Sequence, residues 1–143
     1  MTRILFVCTG NTCRSPMAKC LMEALCRRQR LTASCDSAGL HVLPGTPASP
    51  GAQRAMANRG LSLQGHRAKR LSASLCENAD VILCMTPGHL REFSNRFPEH
   101  AKKAQTFLQP VSDPFGGSDS YYDQIANQIS RLLEEWLLEH PLN

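Results

Sequence analysis

The 143-residue sequence lacks the features of exported, membrane-spanning and low-complexity proteins. No apolar run approaches the roughly 18 residues that a membrane-spanning helix needs. The first apolar run, residues 4–8, is shorter than the core of a signal peptide, which needs about 7–15 residues. Glycine and proline number 9 each, an ordinary share that argues against collagen-like or disordered composition. We therefore expect a cytoplasmic protein without a membrane partner.

Aromatic residues are also scarce, at 6%, and the net charge is only +4. Lysine and arginine are scattered apart from two short groups, residues 27–30 and 67–70, and few aromatic residues lie near either group. A nucleic-acid-binding protein typically concentrates its basic residues on one face. We therefore expect no nucleic-acid partner, and the sequence indicates no particular oligomeric state.

Seven cysteines are the unusual feature of the composition. Their number is odd and no export signal is present, so the pattern favours free thiols over a disulfide scaffold. No Cys-x2-Cys pair occurs, and the spacings of successive cysteines match no common zinc site. The sequence therefore predicts a protein without a metal ion or other cofactor, in which some cysteines pack in the core and others are reactive.

Four short segments bounded by turn residues predict β-strands. The first and third are apolar enough to be buried, whereas the second and fourth are weaker candidates. In chain order the predicted strands are residues 3–8, 32–38, 81–85 and 104–108.

Helix signals separate these strands. The pairs Ser15-Pro16 and Ser49-Pro50 predict helix starts, with the serine as N-cap and the proline at the first helical position. Strands that alternate with helices predict an α/β fold, in one domain over residues 1–143, with a parallel sheet and helices on both faces. The first helix is predicted from residue 15, the others at 49–60, 72–79, 87–97 and 125–137, and polar loops at 39–50 and 112–120.

A phosphate-binding loop is predicted directly after the first strand. A turn that joins a strand to a helix gathers backbone N–H groups and a helix N-terminus around one point, which suits a phosphate dianion. Gly10 and Asn11 fit because such a turn needs positive φ angles. Arg14 can bind two phosphoryl oxygens, and we expect these groups to depress the pKa of Cys8 so that its thiolate is a nucleophile. The loop reads Cys8-Thr9-Gly10-Asn11-Thr12-Cys13-Arg14-Ser15.

At these residues the sequence resembles the low-molecular-weight protein tyrosine phosphatases, and the resemblance covers essentially the whole chain. The segment Cys8 to Pro16 meets the family signature Cys-x5-Arg-Ser-Pro, and Asp113-Pro114 meets its second signature. The resemblance implies a four-stranded parallel sheet flanked by helices. It also implies hydrolysis of phosphorylated protein side chains in two steps, through a phosphocysteine and without a cofactor.

The resemblance assigns the chemistry to three residues. Cys8 attacks phosphorus, and Arg14 with the loop N–H groups stabilises the phosphoryl oxygens. Asp113 protonates the leaving group and later activates the hydrolytic water. Taken without the resemblance, Asp113-Pro114 is typical of a simple turn.

Four further residues are expected to support the loop. Ser15 both caps the helix and donates a hydrogen bond to the thiolate, while Asn11 holds the loop in shape. His66 matches the family histidine that supports this asparagine, and Ser37 joins the same network. An exposed loop position explains His66 equally well.

Thr12 is the expected specificity residue. Tyrosine-specific relatives usually carry a larger aliphatic residue there, whereas the bacterial protein arginine phosphatase subgroup has a loop identical to residues 8–15 and a motif identical to residues 113–118. Thr12 offers a hydroxyl and room for a polar guanidinium, and residues 39–50 hold no aromatic side chain to sandwich a phenyl ring. We therefore favour phosphoarginine as substrate, with phosphotyrosine as the alternative.

Two other functions remain open on the sequence: a thioredoxin-coupled arsenate reductase and a catalytically silent phosphoprotein-binding module. The reductase needs a second relay cysteine about seven residues after Cys84, where Arg91 stands. The silent module is disfavoured because Cys8, Arg14 and Asp113 are all present.

Cys13 is the expected redox partner of Cys8. A disulfide between the two thiols under oxidants would protect the nucleophile from over-oxidation. Simple packing explains Cys13 as well.

Tyr121 and Tyr122 match adjacent tyrosines of relatives that can be phosphorylated and wall the pocket, and packing at a helix start explains them equally.

Overall fold

A computed structural model shows an α/β protein and describes residues 1–142. A 3₁₀ helix, Pro98–Lys103, precedes the last strand. The strands are β1 (Thr2–Cys8), β2 (Ala33–Gly39), β3 (Val81–Cys84) and β4 (Ala104–Thr106). The helices are α1 (Arg14–Gln29), α2 (Pro50–Ala57), α3 (Ala73–Asn78), α4 (Pro87–Arg96) and α5 (Asp119–Glu139).

The four strands form one parallel sheet, as the sequence and the resemblance predict, and their order in the sheet is β2-β1-β3-β4. Strand β2 lies on one side of β1, and the chain then crosses to the other side to form β3. The direction in which strands are added therefore reverses at β1. Ligands of open α/β sheets bind outside the carboxyl ends of the strands at such a reversal. Cys8, the last residue of β1, stands at this position.

Side chains that alternate along β1 divide the core into two layers. Ile4 and Phe6 pack with residues of α1, α2 and α5 on one face of the sheet. Leu5 and Val7 pack with residues of α3 and α4 on the other. Because successive side chains of a strand point to opposite faces, one apolar run is buried on both sides. Helices therefore cover both faces, as predicted, and enclose the end of β1.

The start of α1 differs from the sequence prediction. Ser15 is not the N-cap: the helix begins at Arg14, its N-cap is Cys13, and no side chain caps it. The Ser15 hydroxyl instead contacts Cys8 and Asn11 across the loop, and these contacts within the loop take the place of a helix cap. The second predicted cap is confirmed, since Ser49 Oγ accepts a hydrogen bond from the N–H of Ala52.

Several element boundaries also differ from the prediction. Helix α2 ends at Ala57 rather than at Gly60, which has a φ of +73° in the turn that follows. Strand β4 ends at Thr106, since as an edge strand it pairs with β3 alone. Helix α5 begins at Asp119, six residues earlier than its first predicted apolar residue, because Ser118 caps it. Within residues 1–142, no helix combines the length and apolarity needed to cross a membrane.

Candidate active site

The loop between β1 and α1 has one residue in the left-handed region. Asn11 has a φ of +59°, as the sequence predicts, but Gly10 does not have a positive φ, so that part of the prediction is wrong. A single left-handed residue is enough for this turn. A Cβ atom at Gly10 would lie 3.8 Å from Thr12 Oγ1, an ordinary contact. No contact within the described chain therefore requires glycine at this position.

The end of β2 holds the first part of the loop. The Leu40 N–H donates to Cys8 O at 3.0 Å, and the His41 N–H donates to Thr9 O at 2.9 Å. Gly39 permits this approach, because a Cβ atom there would lie 2.6 Å from Thr9 O. These bonds occupy the two loop carbonyls nearest to Cys8.

The backbone N–H groups of the loop are available to bind an anion. In the part of the chain that the structure describes, the N–H groups of residues 10–14 donate to no backbone oxygen. Those of Asn11 and Ser15 are directed at Cys8 Sγ. Converging N–H groups at a helix N-terminus form an anion site. The geometry therefore suits a phosphoryl group bound over the thiol.

Asn11 holds the loop through both its side chain and its backbone. Its buried side chain donates from Nδ2 to Ser15 Oγ at 2.9 Å and to Ser37 Oγ at 3.0 Å. Its Oδ1 accepts from the Lys69 N–H at 3.0 Å. His66 Nε2 donates to the Asn11 carbonyl at 2.7 Å, and burial lowers the pKa of His66. The structure thus brings Ser37 and His66 to the asparagine, where the resemblance places them.

Cys8 is buried, and its Sγ lies 2.8 Å from Ser15 Oγ. Because Ser15 Oγ already accepts from Asn11, its own proton is free to be donated to the sulfur. Burial raises the pKa of the Cys8 thiol, while the Ser15 hydroxyl, the N–H groups and Arg14 lower it. Burial has the largest influence, so the direction is opposite to the sequence expectation. The groups that lower the pKa are the ones that would stabilise the thiolate during attack.

Arg14 links the loop to the segment that carries Asp113. Its side chain is buried, and its Nη1 donates to Val111 O at 3.0 Å. Its Nη2 lies 3.5 Å from Thr9 Oγ1 and 3.6 Å from Asp113 Oδ2. One planar guanidinium therefore contacts both the loop and the segment of residues 111–113, which fixes its orientation at the edge of the loop.

Asp113 forms a local turn and also lies beside the loop. Its Oδ1 accepts from the Phe115 N–H at 3.1 Å, which forms a local turn. Its Oδ2 faces Arg14 at 3.6 Å, and 54% of the side chain remains exposed. The carboxyl group therefore stands beside the loop and in contact with solvent, where it can exchange a proton.

Thr12 and Cys13 lie on the side of the loop that faces α2 and α5. Thr12 is partly buried, and its carbonyl accepts from the Ser49 N–H at 2.9 Å. Cys13 is buried, with its Sγ 3.1 Å from Ser49 Oγ and 3.4 Å from Tyr122 OH. Burial raises the pKa of Tyr122 to about 12. Both Cys8 and Cys13 are free thiols, and their pairing under oxidants stays a prediction.

Sequence reasoning missed two contacts at the site. The Val111 carbonyl holds Arg14, and the ring of His89 contacts Thr9 at 2.8 Å. A backbone carbonyl contact cannot be predicted from residue type. The contact of His89 could have been predicted, because His89 follows β3 and the carboxyl ends of neighbouring parallel strands meet at one edge of the sheet.

Comparisons with known proteins agree with this geometry. The family described as low molecular weight phosphotyrosine protein phosphatase matches residues 3–142. The chain is 36% identical over 139 residues to the protein-arginine-phosphatase of Bacillus subtilis, a match that covers 92% of each protein. It is 35% identical over 138 residues to the low molecular weight protein-tyrosine-phosphatase Etp of Escherichia coli, covering 93% of this chain and 90% of Etp.

A solved structure of a phosphatase also matches this chain. It is a cysteine-to-serine mutant of the YwlE arginine phosphatase with a phosphorylated active site serine. Its TM-score with this chain is 0.92, at 33% sequence identity and with 98% of each chain covered. The matches identify the protein as a cysteine-dependent phosphatase that belongs to the low molecular weight phosphotyrosine protein phosphatase family.

Proposed function

We propose that this phosphatase hydrolyses phosphoarginine side chains of proteins, with Cys8 as nucleophile, Arg14 as phosphate ligand and Asp113 as proton donor and acceptor. These roles are supported by the arrangement of the three side chains at the end of β1. There the Cys8 thiol lies 2.8 Å from Ser15 Oγ, and Arg14 lies 3.6 Å from Asp113. We also propose that residues 1–143 act as one phosphatase domain.

In the first step, the Cys8 thiolate attacks phosphorus in line with the bond that breaks. The thiol proton is lost to solvent or to the phosphoryl dianion, and the Ser15 hydroxyl then stabilises the sulfur anion. A P–S bond forms and the P–N bond of phosphoarginine breaks, while Asp113 gives its proton to the leaving nitrogen. Arg14 and the loop N–H groups stabilise the charge on the equatorial oxygens.

In the second step, water attacks the phosphocysteine. Asp113, now a carboxylate, takes a proton from the water as the P–O bond forms and the P–S bond breaks. Inorganic phosphate leaves, and the Cys8 thiolate is restored. The exposed position of Asp113 supports both of its roles, since solvent and leaving group can both reach it.

Asp113→Asn tests the proton-transfer role. We expect kcat on phosphoarginine peptides to fall about 10²-fold, because the amide cannot protonate the leaving nitrogen. Asparagine keeps the oxygen that accepts from the Phe115 N–H, so the turn is retained. Steady-state rates on phosphoarginine and on p-nitrophenyl phosphate measure the effect, which is smaller for p-nitrophenolate because that leaving group needs little protonation.

The matched control is Asp123→Asn, the same change in α5, where the carboxylate accepts a long hydrogen bond of 3.4 Å from Asn58 Nδ2. It should leave both rates unchanged. Equal losses on the two substrates in Asp113→Asn would contradict general acid catalysis by this residue.

The preference for phosphoarginine is supported by Thr12 and by the similarity to the Bacillus subtilis enzyme. Thr12 is a partly buried residue of the phosphate-binding loop, and its hydroxyl suits a polar guanidinium better than it suits a phenyl ring. Phosphotyrosine is the second candidate, favoured by the 35% identity to Etp, which is named a protein-tyrosine-phosphatase. For either substrate the partner is a phosphorylated protein, and we propose no nucleic-acid or membrane partner.

Parallel hydrolysis of phosphoarginine and phosphotyrosine peptides tests the substrate class, with Cys8→Ser as the blank. We expect Thr12→Ile to shift the ratio of the two kcat/KM values toward phosphotyrosine by about tenfold, because isoleucine removes a hydroxyl and adds apolar surface. Thr32→Ile, the same change at an exposed position before β2, should leave the ratio unchanged. An unaltered ratio in Thr12→Ile would contradict the specificity role.

The arsenate reductase alternative finds no support at Cys84. This thiol is fully buried in β3, and burial raises its pKa to about 12, which opposes thiol exchange. Arg91 occupies the position where that relay needs its second cysteine. The silent binding module is the other alternative, and turnover of p-nitrophenyl phosphate would exclude it.

A further inference from the structure

His89 is a buried histidine to which the proposed reaction gives no role. It lies in the first turn of α4, where its backbone N–H donates to Thr86 Oγ1 at 3.1 Å. Only 8% of the residue is exposed. Because β3 lies next to β1 in the sheet, the start of α4 stands beside the nucleophile loop. Its ring therefore faces the loop from the side opposite to α2 and α5.

The ring of His89 contacts a residue that contacts Arg14. His89 Nε2 lies 2.8 Å from Thr9 Oγ1, an ordinary hydrogen-bond distance, and Arg14 Nη2 lies 3.5 Å from the same oxygen. A threonine hydroxyl has one proton and two lone pairs. When that proton is donated to His89 Nε2, the lone pairs of Thr9 Oγ1 are left to accept from Arg14.

The charges around the ring favour its neutral form. Arg14 on α1 and His41 after β2 oppose a positive charge on His89, while Glu92 on α4 and Asp113 favour one. Burial, followed by Arg14, lowers the pKa of His89 to about 4, so the ring is neutral at ordinary pH. Only a neutral imidazole has a nitrogen that can accept from Thr9.

The other ring nitrogen has no protein partner. His89 Nδ1 is buried and forms no hydrogen bond within residues 1–142. A histidine placed only to fill space could be replaced by an apolar ring without leaving a buried nitrogen unpaired. Within the described residues, the contact of Nε2 with Thr9 Oγ1 is the one hydrogen bond of this ring.

We propose that His89 is a positioning residue: through Thr9 Oγ1 it orients the Arg14 guanidinium for binding of the phosphoryl group. This inference rests on the proposed role of Arg14 as phosphate ligand. Arg14 is held on its other edge by the Val111 carbonyl. Thr9 and Val111 thus hold the two terminal nitrogens, and His89 sets the direction in which the Thr9 hydroxyl points.

The test uses four variants of the full chain. His89→Phe keeps a ring without nitrogens, His89→Gln offers an amide near the position of Nε2, and Thr9→Val removes the hydroxyl. The double variant carries His89→Phe and Thr9→Val together. Each is assayed for kcat and KM on p-nitrophenyl phosphate and for the inhibition constant of inorganic phosphate. Phe93→Leu, at a fully buried core position of α4 itself, is the control for loss of stability alone.

We expect His89→Phe and Thr9→Val each to lower kcat about tenfold and to weaken phosphate inhibition, since one bond that orients a charged group is lost. The double variant should be no worse than the more affected single one, because both changes break the same chain of contacts. His89→Gln should stay within about threefold of the wild type.

Three results would overturn the inference: an unchanged kcat in His89→Phe, losses that multiply in the double variant, or an equal loss of kcat in Phe93→Leu at the same melting temperature. Failure of the proposed function has a different outcome. There the wild type would hydrolyse neither phosphoarginine nor p-nitrophenyl phosphate, and the phosphate affinities of wild type and His89→Phe would still test the positioning.

Discussion

Cys8→Ser is expected to lower kcat by at least about 10⁴-fold on every phosphorylated substrate. A serine hydroxyl is a far weaker nucleophile than a thiolate, and no base among the site residues is placed to deprotonate it. The oxygen of the introduced serine can keep the contact with Ser15, so the loop should retain its shape. Initial rates measure the loss, and thermal unfolding should show a melting temperature within about 3 °C of the wild type.

The matched control for this experiment is Cys20→Ser. Cys20 is also a buried thiol, on α1, and within residues 1–142 its side chain forms a single, long hydrogen bond of 3.8 Å to Ser62 O. The same atomic change there should leave kcat within about twofold of the wild type. More than about 1% residual activity in Cys8→Ser would show that another group attacks phosphorus.

Arg14→Lys is expected to lower kcat/KM by about 10³-fold, although it keeps the positive charge. The guanidinium contacts Val111 O, Thr9 Oγ1 and Asp113 from one rigid plane. A lysine ammonium has no fork, so it cannot hold these contacts and bind two phosphoryl oxygens at once. Steady-state kinetics on phosphoarginine peptides measure the loss, and the inhibition constant of inorganic phosphate should rise with it.

Arg96→Lys is the comparison for a lost guanidinium outside the loop. Arg96 also donates from Nη1 to a backbone carbonyl, that of Leu40, at 2.8 Å. We expect this variant to keep its kcat/KM within about threefold, since none of its hydrogen bonds reaches residues 8–15. If Arg14→Lys behaved like Arg96→Lys, the charge of Arg14 alone would account for phosphate binding and the orienting contacts would be unnecessary.

Local signals in the sequence were enough to predict most elements. The apolar run ending at Cys8 is buried on both sides, as its composition requires, and Ser49 caps α2 as the Ser-Pro pair indicates. The same pair at residues 15 and 16 predicted a cap that the structure does not show, because the Ser15 hydroxyl forms its hydrogen bonds elsewhere. It contacts the Cys8 thiol and the Asn11 amide in the loop, and not a backbone N–H of the helix.

The candidate site also has a part that the sequence could predict and a part that it could not. Residues 8–15 are contiguous, so their spacing alone could predict a loop that binds phosphate, and Asp113 followed from a resemblance in a second short motif. The contacts of Arg14 with Val111 and of His89 with Thr9 join residues 97 and 80 positions apart. No periodicity connects such pairs, because only the packing of α4 and of the segment before α5 against the sheet brings them together.

The sequence by itself determined the alternation of strands and helices, the residue types of the nucleophile loop and the family to which they point, since each of these depends on neighbours along the chain. Only the tertiary structure decided the strand order β2-β1-β3-β4, which places the end of β1 at the reversal of the sheet. It also decided that burial dominates the pKa of Cys8, and that a neutral histidine from α4 reaches the threonine beside Arg14. Desolvation and long-range hydrogen bonds depend on which distant segments pack together, and that is a property of the folded chain.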